Sequence, residues 1–311
     1  MTMAEIDPSI SPEHTRSDRE EKEGQGGELA TTEHRTKLGT YVPVEVTANH
    51  LRFEARQYTC IFARDISDKQ RMAERLQQAE KMETLGNLAA GVAHDLNNIL
   101  SGLVSYPELL QLEMTADDPL RSPLATIQKS GQKAADIVQD LLTLSRRGVA
   151  VNQVVDLNHI ITDYLGSPEF AKLGHRHPKV TMASDLGADL FNLRGSAIHL
   201  SKSLMNLVVN GAEAMPDGGT LSLKTRNTYV AADGQAPDGL AEGEYVHLRV
   251  SDTGVGISAA DREHIFEPFF TKKKMGASGT GLGMSVVWAT IQDHAGAIQV
   301  TSEEGLGTHF D

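Results

Sequence analysis

Cysteine is almost missing from this chain: Cys60 is the only one in 311 residues. One thiol excludes an internal disulfide and fits a reducing compartment. It lies in an apolar, strand-like run, so it reads as a buried structural thiol. Long apolar stretches are missing too. None approaches the roughly 20 residues that cross a bilayer, and the N-terminus is acidic rather than signal-like. The chain is therefore expected to be soluble and cytoplasmic. Positive charge is scarce, with 29 Lys and Arg against 42 Asp and Glu and a net charge of −13. That balance argues against nucleic acid or an anionic membrane as a partner. Much of the excess is local, since residues 1–33 carry nine acids and three bases. Core material is plentiful: 40 % of residues are hydrophobic, enough for packed cores in roughly two domains.

Residues 1–35 lack apolar periodicity and are expected to be a disordered acidic tail. Alternation then sets in with Tyr41, Val42, Val44 and Val46, followed by Tyr58, Cys60 and Phe62. This predicts two or three strands, too few to bury a core alone, and therefore the tail of a larger sheet domain. From Asp65 no Pro or Gly intervenes until Gly86, so one long helix is expected to run to about Met114. Along it Met82, Leu85, Ala89, Val92, Leu96, Ile99 and Leu103 recur at steps of three and four, which is a heptad seam. A turn at Asp117-Asp118-Pro119 leads to a second seamed helix over about 122–146. Two such helices make an antiparallel hairpin with half of each seam bare, so two hairpins should pair into a four-helix bundle. The homodimer is thus expected through residues 80–146, the alternative being a helical hairpin packed within one chain. His94 falls outside the seam, with Asp95 beside it and Asn98 one turn on.

A linker near 148–154 precedes a mixed pattern. Helices are expected at 157–165, 196–215 and 284–295, and strands at 180–183, 190–193, 220–228, 244–251 and 297–301. Strands and helices mix without regular alternation, so this part is α+β. Three sites in it carry chemistry. Val246, Leu248 and Val250 share a phase that Asp252 continues, so a carboxylate extends an inward row and must meet a donor. Gly254 and Gly256 follow directly, a weak motif that fits an ordinary turn as well. Gly279-Thr280-Gly281-Leu282-Gly283 opens a helix, where backbone N–H groups form an anion site, though without the lysine of a P-loop. Lys272, Lys273 and Lys274 precede it, either as a solvated basic loop or as charges near phosphates. Asn206 and Asn210 stand at i and i+4 on one helix face. They suit a Mg²⁺ ion that keeps several waters, or cap a neighbouring loop.

Together these stretches resemble a bacterial two-component sensor histidine kinase of the soluble, PAS-linked, nitrogen-regulator-like type. AAGVAHDLNNIL resembles the phosphoacceptor box and LMNLVVNGAEAM the asparagine box. SDTGVGI and GTGLGMSVV resemble the two glycine boxes, IFEPFFTKK the phenylalanine box and GLGTHF the last glycine-threonine element. They stand in family order across about residues 80–310. The resemblance implies an α plus α/β protein, in which a dimerising phosphoacceptor hairpin precedes a Bergerat-type (GHKL) α/β-sandwich ATP-binding domain. The implied divisions are the tail (1–35), a C-terminal PAS remnant (36–66), signalling helix and hairpin (67–148) and the ATP-binding domain (149–311).

The implied roles follow residue by residue. His94 is the phosphorylated histidine, Asp95 its general base and Asn98 the residue assisting dephosphorylation of the partner. Asn210 is the Mg²⁺ ligand, with Asn206 lining the same site. Asp252 accepts from the adenine amino group, flanked by Gly254 and Gly256. Phe266, Phe269 and Phe270 pack a lid hinge. Thr280, Gly281, Leu282 and Gly283 surround the phosphates, Lys272 neutralises them and Thr308 lies near the adenine. ATP and Mg²⁺ are the implied cofactors, and the implied partner is a response-regulator receiver domain. Gly211, Glu213 and Met284 depart from the family's usual Ala, Lys and Leu. The first half of a PAS domain and the end of the last strand are expected to lie outside this chain. Two other functions stay open at this level. One is a dimeric ATP-binding scaffold that transfers nothing. The other is a GHKL ATPase, which needs a glutamate base where Asn206 stands.

Overall fold

The computed structural model describes residues 6–7, 28–37, 39–54, 56–115, 117–145, 153–231, 240–272 and 280–311. It divides into two compact units, Met1–Glu80 and Lys81–Asp311. In the first, β1 (Glu28–Arg35), β2 (Tyr41–Phe53) and β3 (Arg56–Asp65) form an antiparallel meander in the order β1-β2-β3. Residues 28–35 are therefore a strand, not the end of the tail; their Ala-Thr-Thr run pairs with β2, for example Ala30 with Val46. The rest of the expected tail lies almost wholly outside the described residues. Thr47 pairs with Phe62 and Leu51 with Tyr58, so Phe62, Leu51 and Tyr58 share one face, and all three are exposed. A face of that kind fits the expectation that these strands belong to a larger sheet domain. The long helix α1 (Ser67–Glu113) starts after Ile66, whose N–H donates to Pro43 O at 3.0 Å and whose side chain is buried.

In the second unit α1 and α2 (Arg121–Ser145) form the expected hairpin. α1 stays helical through Pro107. Arg121 Nη1 donates to the carbonyls of Gln111 (3.0 Å) and Met114 (3.2 Å), covering acceptors that the end of α1 leaves open. The hairpin's own core is Ala93 and Leu100 against Val138, with Ala134, Ala135 and Leu142 around them. A Cβ on Gly131 would stand 3.1 Å from Leu103 Cβ, so the two helices cross closely there. Leu96, Ile99 and Leu103 of the expected seam stay exposed, as do Tyr106, Leu110, Leu120 and Ile127. The described end of the α1 seam is thus bare, whereas Ala134 and Val138 of the expected α2 seam pack inside the hairpin. The side chains of Met82, Leu85, Ala89, Val92 and His94 lie outside the described residues.

The remainder is a five-stranded sheet in the order β5-β7-β8-β10-β9, with helices packed on one face. The strands are β5 (Val180–Leu186), β7 (Gly219–Val230), β8 (Gly243–Asp252), β9 (Val300–Glu303) and β10 (Gly307–Phe310). β5 and β7 are parallel; the other neighbours are antiparallel. The covering helices are α3 (Leu157–Leu165), α5 (Ala197–Glu213) and α7 (Gly283–Asp293). Ile161, Leu204, Val208 and Val287 meet Leu221, Leu223, Val250 and Phe310 in the core. Asp156 caps α3 by accepting from the N–H groups of Asn158 and His159. Helix α4 (Pro168–Arg176) was not expected. Ser167 caps it and Pro168 opens it, a start signal that its few buried residues obscured. The short β4 (Gln153–Val155) pairs with β6 (Leu193–Gly195) where a linker and a strand at 190–193 were expected. β10 is the strand expected to be running at the end of the chain, and it lies inside the sheet between β8 and β9. α6 (Ala259–Arg262) is a single turn.

Candidate functional site

Several separate stretches converge on one cavity of about 620 Å³ in the second unit. α5 contributes Asn206 and Asn210 with Met205 and Val209, and β8 contributes Asp252. The loops after them contribute Gly256, Lys272, Thr280 and Gly281, and β10 contributes Thr308 and Phe310. The i, i+4 spacing that put both asparagines on one face therefore aims that face into the cavity. Asn206 Nδ2 also donates to Gly283 O at 3.0 Å, which ties α5 to the first turn of α7.

Asp252 continues the inward row of β8, as its phase required. It is buried, and its Oδ1 accepts the Gly254 N–H at 2.9 Å. Burial pushes its carboxyl above the usual range, opposed by the N–H groups of Gly254 and Thr308 and by the nearby His309. Thr308 stands opposite Asp252 across β8 and β10, and its hydroxyl lies 2.9 Å from that of Ser302. The site thus holds a buried carboxylate with lone pairs left over, next to a hydroxyl and an apolar wall of Ile265 and Phe310.

The glycine run has a definite shape. Gly281 has φ +71°, and a Cβ there would stand 2.5 Å from the Phe269 carbonyl carbon. Phe269, itself at φ +66°, donates its N–H to Gly281 O at 3.0 Å. Phe266 and Phe270 pack on the core beneath. Thr280 Oγ1 accepts the Leu282 N–H at 3.2 Å. Lys272 lines the cavity but pairs with Asp261 at 2.5 Å, and Ser258 also donates to that carboxylate. These partners hold the Asp261 carboxyl below its ordinary range. Lys273, Lys274 and Gly279 lie outside the described residues.

Not every expected residue reaches the cavity. Gly254 acts through Asp252 instead. The side chain of Leu282 is fully buried in a separate cluster with Val286, against Ile137 and Leu141 of α2. His94, Asp95 and Asn98 are on α1; Asp95 and Asn98 are exposed and do not line the cavity. Sequence reasoning missed Met205, Val209, Glu213, Asp261, Ile265 and Asp140 as lining residues. Met205 and Val209 could have been found, being one position from each asparagine. Asp140 could not, because it comes from α2, outside the ATP-binding fold.

The chain matches the His Kinase A (phospho-acceptor) domain over residues 84–149. It matches the histidine kinase-, DNA gyrase B- and HSP90-like ATPase over residues 195–311. It is 36 % identical to the sensor kinase CckA of Brucella abortus over 82 % of this chain and 27 % of that protein. It is 30 % identical to the histidine-protein kinase AtoS of Escherichia coli K12 over 79 % of this chain and 37 % of that one. Among solved structures, full-length ShkA in complex with AMPPNP is 25 % identical. It superimposes with a TM-score of 0.55 over 72 % of this chain and 44 % of that one. The chain thus spans less than half the length of these relatives. It belongs to the bacterial two-component sensor histidine kinases, with a HisKA hairpin followed by a GHKL ATP-binding sandwich. No helix among the described residues is long and apolar enough to cross a membrane.

Proposed function

We propose that this chain is a protein histidine kinase that uses ATP to phosphorylate His94 and then passes the phosphoryl group to an aspartate of a response-regulator receiver domain. The observation that carries it is the convergence of Asn206, Asn210, Asp252, Gly281 and Thr308 on one cavity, in the unit that also carries the His94 hairpin. Asp252 and Thr308 hold the adenine, and the glycine run from Thr280 to Gly283 holds the phosphates. The donor set fits Mg²⁺: neutral asparagine amides stand near the carboxylates of Glu213 and Asp261, and such oxygen ligands suit an ion that keeps several waters and takes phosphate oxygens. Asn210, with Asn206 beside it, holds that ion, which supplies charge neutralisation at the phosphates.

One ring nitrogen of neutral His94 attacks the γ-phosphorus in line. The new N–P bond forms as the bond to the β,γ-bridging oxygen breaks, and ADP leaves with that electron pair. Asp95 takes the proton from the other ring nitrogen. Asn98 assists dephosphorylation of the regulator, in which water attacks the aspartyl phosphate and inorganic phosphate leaves. Two copies join through the bare seam of the hairpin, Leu96, Ile99 and Leu103. The 28–65 sheet is the remnant of a PAS sensor domain, and the protein works in the cytoplasm.

Incubation with γ-labelled ATP and Mg²⁺ tests the reading. Acid-labile, base-stable label that disappears in His94→Gln is the expected outcome. ATP binding without label in either protein would make the chain a silent scaffold. Hydrolysis indifferent to the substitution would make it an ATPase.

A further inference from the structure

Among the described residues of the hairpin, Asp140 alone lines the cavity. It sits on α2 and is 8 % exposed. Lys202 Nζ, on α5 one turn before Asn206, stands 3.0 Å from its Oδ1. The ammonium is close enough for charge pairing but off line for a hydrogen bond, and buried Oδ1 accepts none. The carboxylate therefore keeps unused acceptor capacity in the lining of a cavity built for a polyanion.

The same strip of α2 also grips the cavity wall. Ile137 and Leu141 share a helix face with Asp140, and they pack on the buried pair Leu282 and Val286, against which Trp288 and Ala289 of α7 also pack. Leu282 lies between Gly281 and Gly283, both of which line the cavity. Movement of α2 relative to α7 therefore moves the glycine run, and a change of charge in the cavity acts back on α2 through Asp140.

We propose that Asp140 couples hairpin docking to nucleotide binding: paired with Lys202 it holds α2 against the ATP-binding unit, and the negative charge of ATP entering the same cavity loosens that hold. Like charges sharing a poorly solvated site oppose one another. Because such coupling is reciprocal, whatever ATP does to the docked state, release of that state does to ATP affinity. The inference rests on the cavity being the ATP site.

Trp288 is the only tryptophan of the chain and sits at this contact, so its emission reports docking. The full chain is titrated with Mg²⁺ and a non-hydrolysable ATP analogue. In wild type, saturation shifts Trp288 emission to the red. Asp140→Asn is expected to be red-shifted from the start, to shift no further, and to bind the analogue about tenfold tighter. Asp140→Glu restores the wild-type response. Lys202→Gln, which removes the other half of the pair, is red-shifted without analogue and serves if Asp140→Asn fails to fold by circular dichroism. Wild-type emission that ignores the analogue, or an unchanged Kd in Asp140→Asn, overturns the proposal. Asp252→Asn is the control: if it binds as well as wild type, the site assignment fails instead.

Discussion

Asp252→Asn separates binding from stability at one position. The carboxylate is buried at the end of β8, and burial already pushes its carboxyl above the usual range. An amide keeps an oxygen for the Gly254 N–H at 2.9 Å but turns a donor towards the adenine amino group. A hydrogen bond to a charged partner contributes about 1.5–3 kcal/mol, so ATP affinity should fall by about 10- to 100-fold. Stability should not fall, because the ionised form of a group with a raised folded-state pKa is a penalty. That penalty is in force above the folded pKa, shrinks as pH falls through it, and vanishes below the unfolded value. The Tm of Asp252→Asn should therefore match or exceed wild type near neutral pH, with the gap narrowing on acidification. Isothermal titration with an ATP analogue and thermal melts across pH measure both quantities. A Kd within twofold of wild type refutes the adenine assignment. Lost binding with a lower Tm at neutral pH refutes the burial argument.

Ile99→Asp puts a charge on the bare seam of α1, where Ile99 is 63 % exposed in the single chain. Burying an isoleucine is worth about 1.5–3 kcal/mol and counts twice in a symmetric pair, so light scattering should show a monomer at micromolar concentrations, with the Tm of the ATP-binding unit unchanged. Gly281→Ala forces a Cβ against the Phe269 carbonyl at φ +71°. Strain of this kind costs about 1–3 kcal/mol; the chain should melt several degrees lower, and filter binding should show weaker ATP retention.

Much of the site was legible because its signals are local. The phase of Val246, Leu248 and Val250 placed Asp252 inward, and the spacing of Asn206 and Asn210 put them on one face. Both features survive folding because strand and helix periods are fixed by backbone geometry. Lys272 shows the limit of such reasoning. A basic run beside a glycine run suggested phosphate contact, but Asp261, eleven residues away on another element, takes the charge. Leu282 was grouped with its glycine neighbours, yet its side chain points out of the cavity into α2.

The sequence by itself determined the hairpin, the bare seam, the inward carboxylate and the order of the motifs, since heptad steps and strand alternation are properties of neighbouring residues. Only the tertiary structure decided the strand order, in which β10 inserts between β8 and β9 and brings Thr308 opposite Asp252. It also decided which helix closes the cavity. Asp140 carries no local mark of that role, because contacts between residues as far apart as Asp140 and Lys202 depend on how whole elements pack, and no periodicity records that.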